Sequence, residues 1–476
     1  MSDSISRRQY LRDAGCGFGS LALAALCNEQ ATATASPLAP RLPHFAPRAK
    51  RVIFMFMQGG PSQMETFDYK PRLNADHGKP MPFQRDDNVE QPGIQSLRLF
   101  GSSWKFRQSG ESGIWVSELF PNLAKKIDEV CVLNGMQTDN LAHAPACLQL
   151  HTGDTRFVRP SMGSWVTYGL GTLNQNLPGF LTIAPPLSGD GGNPKFFGNA
   201  FLPTIFQGTA IGLSRDKGSR ANIRHLTDST LSVDLQRRQV DLIQSMNRQH
   251  LQRLKTDQRM EGMIEAFELA FRMQAETPRL LDLSGETRAT LDLYGIGGDK
   301  SDFFGRQCLL ARRLAESGVR FIQINSTGWD HHGQIRQRLP DVCRQIDQPI
   351  AGLLTDLRAR GMLDETLLVW SGEFGRTPYE QDLSMGKDPK TNYGRGHNPY
   401  GFTTLMAGGG ITGGIVYGKT DDYSYRVVED KVHVHDLHAT ILHLLGLDHE
   451  RLTYRYAGRD FRLTDVYGRV VKEIIA

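Results

Sequence analysis

The chain has 476 residues, 39% of them hydrophobic and 22% charged, and a net charge of +4. That composition is globular, and part of the small basic excess sits at the N-terminus, so neither nucleic acid nor an anionic membrane is indicated as a partner. The six cysteines form no CxxC, which argues against iron–sulfur, haem-attachment and thioredoxin-type chemistry.

Residues 1–35 read as a signal segment. Arg7 and Arg8 are followed by Tyr10 and Leu11, then by an apolar run from Gly15 to Leu26, and Ala33 and Ala35 precede a cleavage site before Ser36. The run is too short to span a bilayer. The arginine pair resembles a twin-arginine export address, which implies a periplasmic or extracellular protein with no integral membrane span after cleavage. Residues 36–50 form a Pro-rich linker, and 51–476 form one α/β domain. Cys16 and Cys27 belong to the signal. Cys131 and Cys308 lie in apolar segments and read as buried thiols, with disulfides open to them and to Cys147 and Cys343.

RVIFMFM, from Arg51 to Met57, reads as a strand ending at the glycine turn GGPS. LFPNLAKKIDEVCVLNGM predicts an amphipathic helix feeding a second strand, and FLTIAPP a further one. From about 231 to 277 the chain turns charged, with apolar residues at three- and four-residue spacing, which predicts an inserted pair of helices. Alternation resumes with FGRQCLLARRLAESGVRFIQI, the helix IAGLLTDLRARGM, and the strands in ETLLVWSG and GFTTLMAGGG. The closing helix DLHATILHLLG is expected to start at an Asp436 N-cap. Repeated helix–strand alternation implies crossover units and a mostly parallel sheet with helices on both faces.

Three apolar runs end in groups that bind metals. Asp330, His331 and His332 follow RFIQINSTGW, Glu373 follows LLVWSG, and His397 lies in GRGHNPYGF. Ligands gather beyond the carboxyl ends of strands in an open α/β sheet. Imidazole and carboxylate are donors for a divalent ion such as Zn or Mn. Asp330, His332, Glu373 and His397 are therefore the expected metal ligands. His331 is left out, because alternate side chains of an extended segment point apart. Arg376 either pairs locally with Glu373 or holds a substrate oxyanion. The cluster His433, His435, His438 and His443 reads as surface and helix-end histidines, with His435 keeping a small claim as a ligand.

The motifs GGPSQMETFDYKP, HAPACLQLHTGD, RPSMGSWVTYGLG, FGRQCLLARRL, GWDHHGQ, GEFGRTP, GRGHNPYGF and DLHATILHLLGL run along nearly all of the chain after the linker. Together they resemble domain-of-unknown-function family 1501, within the alkaline phosphatase and sulfatase superfamily. The resemblance implies a three-layer sandwich with metal ligands at its strand ends. Against the superfamily pattern, Phe374 stands where a second histidine is expected. Gln58 stands where the first strand carries an acid, with Asp68 as the available substitute. His143 falls at the nucleophile position when Pro145, Thr152 and Gly153 are matched, and Ala146 replaces the serine of the sulfatase signal, so formylglycine is not expected. His143 is read as ligand or general base. Ser62 is an alternative nucleophile, although a turn-capping hydroxyl is the simpler role for it. The expected function is an exported metal-dependent hydrolase of phosphate, sulfate or related anionic esters, small or glycan-borne, using metal-activated water or another nucleophile. The alternative is a non-catalytic metal- or anion-binding protein on the same fold.

Overall fold

The computed structural model describes residues 36–82, 98–184, 194–223, 226, 230–254, 258–382 and 393–476. The expected signal segment lies outside them. The central strand β1 (Arg51–Gln58) is buried along nearly its whole length, as a sequence apolar on both faces requires. After it in chain order come β2 (Val130–Gln137), α1 (His143–Thr152), α2 (Met162–Leu170), β3 (Phe180–Ile183) and β4 (Thr209–Ile211). The helices α3 (Val233–Leu254) and α4 (Gln258–Leu281) form the insert. They lead to α5 (Asp302–Glu316), β5 (Phe321–Thr327), α6 (Ile335–Ala359) and β6 (Thr366–Ser371). Last come the pair β7 (Gly375–Asp382) and β8 (Tyr393–Asn398), then β9 (Phe402–Ala407), β10 (Ile415–Tyr417), β11 (Val432–His433) and α7 (Val434–Leu444).

Among the described residues, nine strands make the main sheet in the order β10-β2-β9-β6-β1-β5-β3-β4, with β11 beside β2. Only β9 runs antiparallel to its neighbours. Along β1 successive side chains enter different cores, because they alternate across the sheet. Ile53, Met55 and Met57 pack with Leu309, Leu310 and Leu353 of α5 and α6. Val52, Phe54 and Phe56 pack with Trp165 of α2, Leu437 and Ile441 of α7, and Leu269 and Met273 of α4. The result is a three-layer α/β sandwich.

In register, β1 runs beside β6 and β5, with Phe56 opposite Ser371 and Gln58 opposite Thr327. Their carboxyl ends therefore open at one edge, and β2, parallel to them through β9, delivers the loop before α1 to the same edge.

Three local expectations change. The helix before β2 is a seven-residue 3-10 segment, Leu123–Glu129. Helix α6 begins at Ile335, well before IAGLL, and carries Pro340 and Pro349 inside it. Helix α7 is capped by His433: Asp436 sits at the third helical position and accepts the His433 N–H at 2.9 Å, completing a capping box. The four described cysteines are free and buried.

Candidate metal centre

The segment after β5 turns at Gly328, buries Trp329 beneath the sheet edge, and then presents Asp330 and His332. Its path is fixed by two close backbone approaches. Gly59, at φ +117°, lies so near that a Cβ would stand 2.4 Å from the Asp330 amide nitrogen. On the other side Gly394 of β8 packs on the His331–His332 backbone, where a Cβ would meet the His331 carbonyl at 2.2 Å. Only glycine permits either approach. His143 is the first residue of α1, and His397 projects from β8, whose partner β7 leaves the sheet directly after Glu373.

These elements bring His143, Asp330, His332 and His397 together, each offering one donor atom and all four atoms lying within 4.8 Å of one another. The three Nε2 atoms face Asp330, at 3.3 Å from His143, 3.0 Å from His332 and 3.4 Å from His397. The three Nδ1 atoms are held from behind. His143 Nδ1–H donates to Glu373 Oε1 at 2.6 Å, His332 Nδ1–H to Gln381 Oε1 at 2.5 Å, and His397 Nδ1–H to the Leu141 carbonyl at 2.6 Å. Each acceptor is an oxygen, so each Nδ1 carries a proton and each Nε2, once free of its own proton, presents a lone pair to the common centre. An outer hydrogen bond that fixes tautomer and ring direction is what metal-ligating histidines use.

Phe374 walls the cluster, its ring centroid 4.4 Å from His397 and 4.9 Å from His143. Asp330 opens it, with 42% of its side chain accessible, so a small ion or an anionic group reaches the centre from that side.

Electrostatics divides the four. Burial depresses the His143 imidazole, but the Asp330 and Glu373 carboxylates outweigh it and hold its pKa at about 9. Burial dominates at His397 and pushes it down to about 3. At Asp330 burial works upward, yet the three histidines and the Arg376 charge hold the carboxyl well below the usual carboxylate range. The His143–Asp330 contact is an ion contact off the hydrogen-bond line, so His143 Nε2 is a buried nitrogen without a hydrogen-bond partner. Asp330 Oδ1 accepts from Arg376 at 2.6 Å, and a cation that displaces the proton of His143 would draw on the three Nε2 atoms and the carboxylate together. The donor set fits a divalent ion.

The remaining expected site residues stand elsewhere. Glu373 is fully buried and outside the four-donor set. It accepts the Gly59 N–H at 3.0 and 3.1 Å on its two oxygens, and His143 on Oε1, so its oxygens are committed behind His143. Arg376 does not pair with Glu373. Its guanidinium is buried, donates to Asp330 Oδ1 at 2.6 Å, to the Gly60 and Arg395 carbonyls at 2.9 and 3.0 Å, and to the Gly59 carbonyl. A fork so occupied positions Asp330 and has little left for a substrate oxyanion. Ser62 is buried and its hydroxyl donates to Glu65, itself paired with Arg395 at 2.6 Å. Asp68 is spent on Thr420, Ser424 and Lys70, so it does not replace the missing acid of β1. His331 is buried away from the cluster, and burial with the Arg376 charge lowers it to about 4. His435 and His438 are buried, not surface residues, and donate Nε2–H to the Gly153 and Leu150 carbonyls at 2.9 and 2.8 Å. Sequence reasoning missed Gln381 and the Leu141 carbonyl. Neither carries a residue-type signal, because an amide and a backbone oxygen become recognisable as histidine holders only in three dimensions.

The arrangement is that of an α/β protein with an imidazole–carboxylate centre at the carboxyl edge of its sheet. Over residues 49–475 the chain matches the family described as "Protein of unknown function (DUF1501)" and belongs to it. No curated protein matches it. Among solved structures it is similar to a sulfatase from Pseudoalteromonas sp. (12% identity, 84% of this chain and 68% of that one, TM-score 0.34). It is also similar to the alkaline phosphatase of the Antarctic bacterium TAB5 (10% identity, 83% and 98%, TM-score 0.33). A third likeness is to a lipoteichoic acid synthase from Listeria monocytogenes (9% identity, 90% and 78%, TM-score 0.35). At such scores these likenesses carry no weight for the chemistry of this chain.

Proposed function

We propose that the protein is an exported metal-dependent hydrolase of phosphate, sulfate or related anionic esters, small or glycan-borne. Asp330, His332 and His397 hold a divalent ion, and His143 stands beside them as fourth ligand or proton carrier. The observation that carries this reading is the set of three Nε2 atoms converging on Asp330, each imidazole pinned at Nδ1 by an oxygen of the protein. An imidazole-rich set favours Zn over Mn. When bound, the ion supplies Lewis acidity, polarising an ester oxygen and drawing the pKa of a water toward neutrality.

The protein's own groups do the rest. Glu373 keeps His143 Nδ1 protonated and leaves Nε2 to take up or return a proton at the open side. Arg376 fixes the Asp330 carboxylate, and Phe374 excludes water from behind. Among the described residues, no hydrogen bond or ion pair of the four involves a serine, threonine or cysteine, and in this reading the nucleophile is water. That same lack supports the second reading, a binding protein on this fold. The twin-arginine address of residues 1–35 accords with a protein exported with its ion in place.

The deciding experiment measures metal content of the purified chain, then turnover of aryl phosphate and aryl sulfate esters with added Zn²⁺ or Mn²⁺. Metal-dependent turnover lost in His143→Ala by roughly 10²–10⁴-fold, as for a missing acid–base group, supports the hydrolase. Stoichiometric metal with no turnover on a broad ester panel supports the binding protein, and a chain that binds neither ion sinks both.

A further inference from the structure

Arg376, the guanidinium expected to hold a substrate oxyanion, is committed to Asp330 and three backbone carbonyls. Another arginine at the same sheet edge is not. β3 runs parallel to β5 and β4 parallel to β3, so the three carboxyl ends open together. After β4 the chain forms a loop closed by Gly212 and Asn222, whose backbones exchange hydrogen bonds at 2.7 and 2.9 Å. A buried cation organises it. Arg306 of α5, paired with Asp302 at 2.9 Å, donates to the Ser214, Asp216 and Ser219 carbonyls at 3.1, 3.2 and 3.0 Å. The backbone on both sides of Arg215 is thereby fixed, and its exposed side chain reaches the end of β5. The guanidinium lies over the Phe303 ring, 4.6 Å from the centroid, and Nη2 donates to Thr327 Oγ1 at 3.4 Å. That bond is long, so most of the five N–H donors of the fork are unspent.

Taking the centre as the place of an anionic ester, as proposed above, we infer that Arg215 holds a second anionic group of the same molecule, so that the substrates are polyanionic esters. Thr327 lies opposite Gln58 and the Asp330 amide against Gly59, and the chain turns between them at Gly328. With about 3.8 Å between successive Cα atoms, Thr327 and Asp330 are at most about 11 Å apart. Over such a distance in salt water one charge is largely screened from another. Arg215 therefore acts on an anion it touches, not on the ester beside Asp330, and one molecule satisfies both points only if it carries two anionic groups. The charge of the loop agrees. Residues 212–222 hold Arg215, Lys217 and Arg220 against the single acid Asp216. Asp216 accepts from Ser214 Oγ at 2.7 Å, and Arg220 lies 3.9 Å from Asp282. Among the described residues no ion pair involves Arg215 or Lys217, so both cations are available to phosphate, sulfate or carboxylate.

Titration calorimetry of the full chain with added Zn²⁺ tests this, using sucrose octasulfate as a compact polyanion and 4-nitrophenyl sulfate as a monoanion. The octasulfate should bind more tightly. Arg215→Gln should weaken it roughly 10–100-fold, the worth of charge-assisted hydrogen bonds, and lower the ratio of the two affinities. Arg215→Lys keeps the charge without the fork and should recover only part. Lys419→Gln removes an exposed charge beyond β10, at the opposite end of the sheet, and sets the background of non-specific attraction. A ratio of affinities near one, or an equal loss in Lys419→Gln and Arg215→Gln, overturns the inference. Turnover of aryl esters by a chain whose octasulfate affinity ignores Arg215 overturns it too, while leaving the hydrolase standing. Octasulfate binding that depends on Arg215 in a chain without turnover would instead sink the hydrolase and keep the anion contact.

Discussion

His143 and Glu373, 230 residues apart, are joined by a 2.6 Å hydrogen bond that turns an imidazole at a helix start toward Asp330. Glu373 is itself anchored by the Gly59 amide at the end of β1, so two strand ends, those of β6 and β1, set the direction of one ring. Replacing Glu373 by Gln keeps the shape and removes the charge. Second-sphere partners of metal-bound histidines are typically worth 10–100-fold in affinity or activity. The expected outcome is a loss of Zn²⁺ affinity in that range with the fold retained, read by competition against a chromogenic chelator. An unchanged affinity would mean that His143 needs no orienting partner.

A filled site should stabilise the chain. An ion that binds only the folded state adds about 2.7 kcal/mol at a free concentration 100 times its Kd. Chelation is therefore expected to lower the Tm of the wild-type protein measurably. Asp330→Asn, which removes the one anionic ligand of the four, should melt at the same temperature with and without chelator. Differential scanning calorimetry checks both, and a metal-dependent Tm in the variant would place the ion elsewhere.

Much of this was legible in the sequence, for reasons that differ by element. β1 and β6 are continuous apolar runs, and such runs become buried central strands whatever surrounds them. Asp330 and His332 were visible because they follow such a run at once. His397 was recognised as a candidate without its setting: β7 and β8 form a separate two-stranded ladder rich in polar residues, a pattern that does not announce strands. Helix α6 was read short because Pro340 and Pro349 look like breaks, yet the residues from Leu339 to Leu357 bury a full stripe that outweighs them. The partition between Asp330 in the cluster and Glu373 behind it was beyond reach, since both are carboxylates after strands. Which of them meets the Gly59 amide depends on packing alone.

His143 links stability and metal binding to pH. Its folded pKa, about 9, lies above the ordinary histidine value of 6.5. A group raised on folding stabilises fully below its unfolded pKa and loses that contribution as pH rises through the folded one. The metal-free protein should thus lose stability between pH 6.5 and 9, as urea unfolding at several pH values would show. Metal affinity should rise over the same window, because a ligand nitrogen must give up its proton. Near pH 7.5, titration calorimetry in buffers of different ionisation enthalpy is expected to show about one proton released per ion bound. Release of none would mean that the ion does not displace the proton on Nε2 of His143.

Arg376 separates positioning from substrate binding. Its buried guanidinium serves Asp330 and the carbonyls of Gly59, Gly60 and Arg395 at once. Arg376→Met would leave those carbonyls short of a donor and Asp330 without its charge partner. Breaking a buried pair from one side typically costs 3–5 kcal/mol. Asp330 reaches solvent, so about 3 kcal/mol is expected here, with a parallel fall in metal affinity as the carboxylate loses its fixed direction. Arg376→Lys keeps the charge but cannot reproduce the fork, and should recover only part of both losses. Had Arg376 gripped a substrate oxyanion instead, either variant would raise KM while leaving metal affinity and unfolding unchanged. Urea unfolding with a metal titration on the same samples decides between the two. The occupied fork predicts that stability and metal affinity fall together.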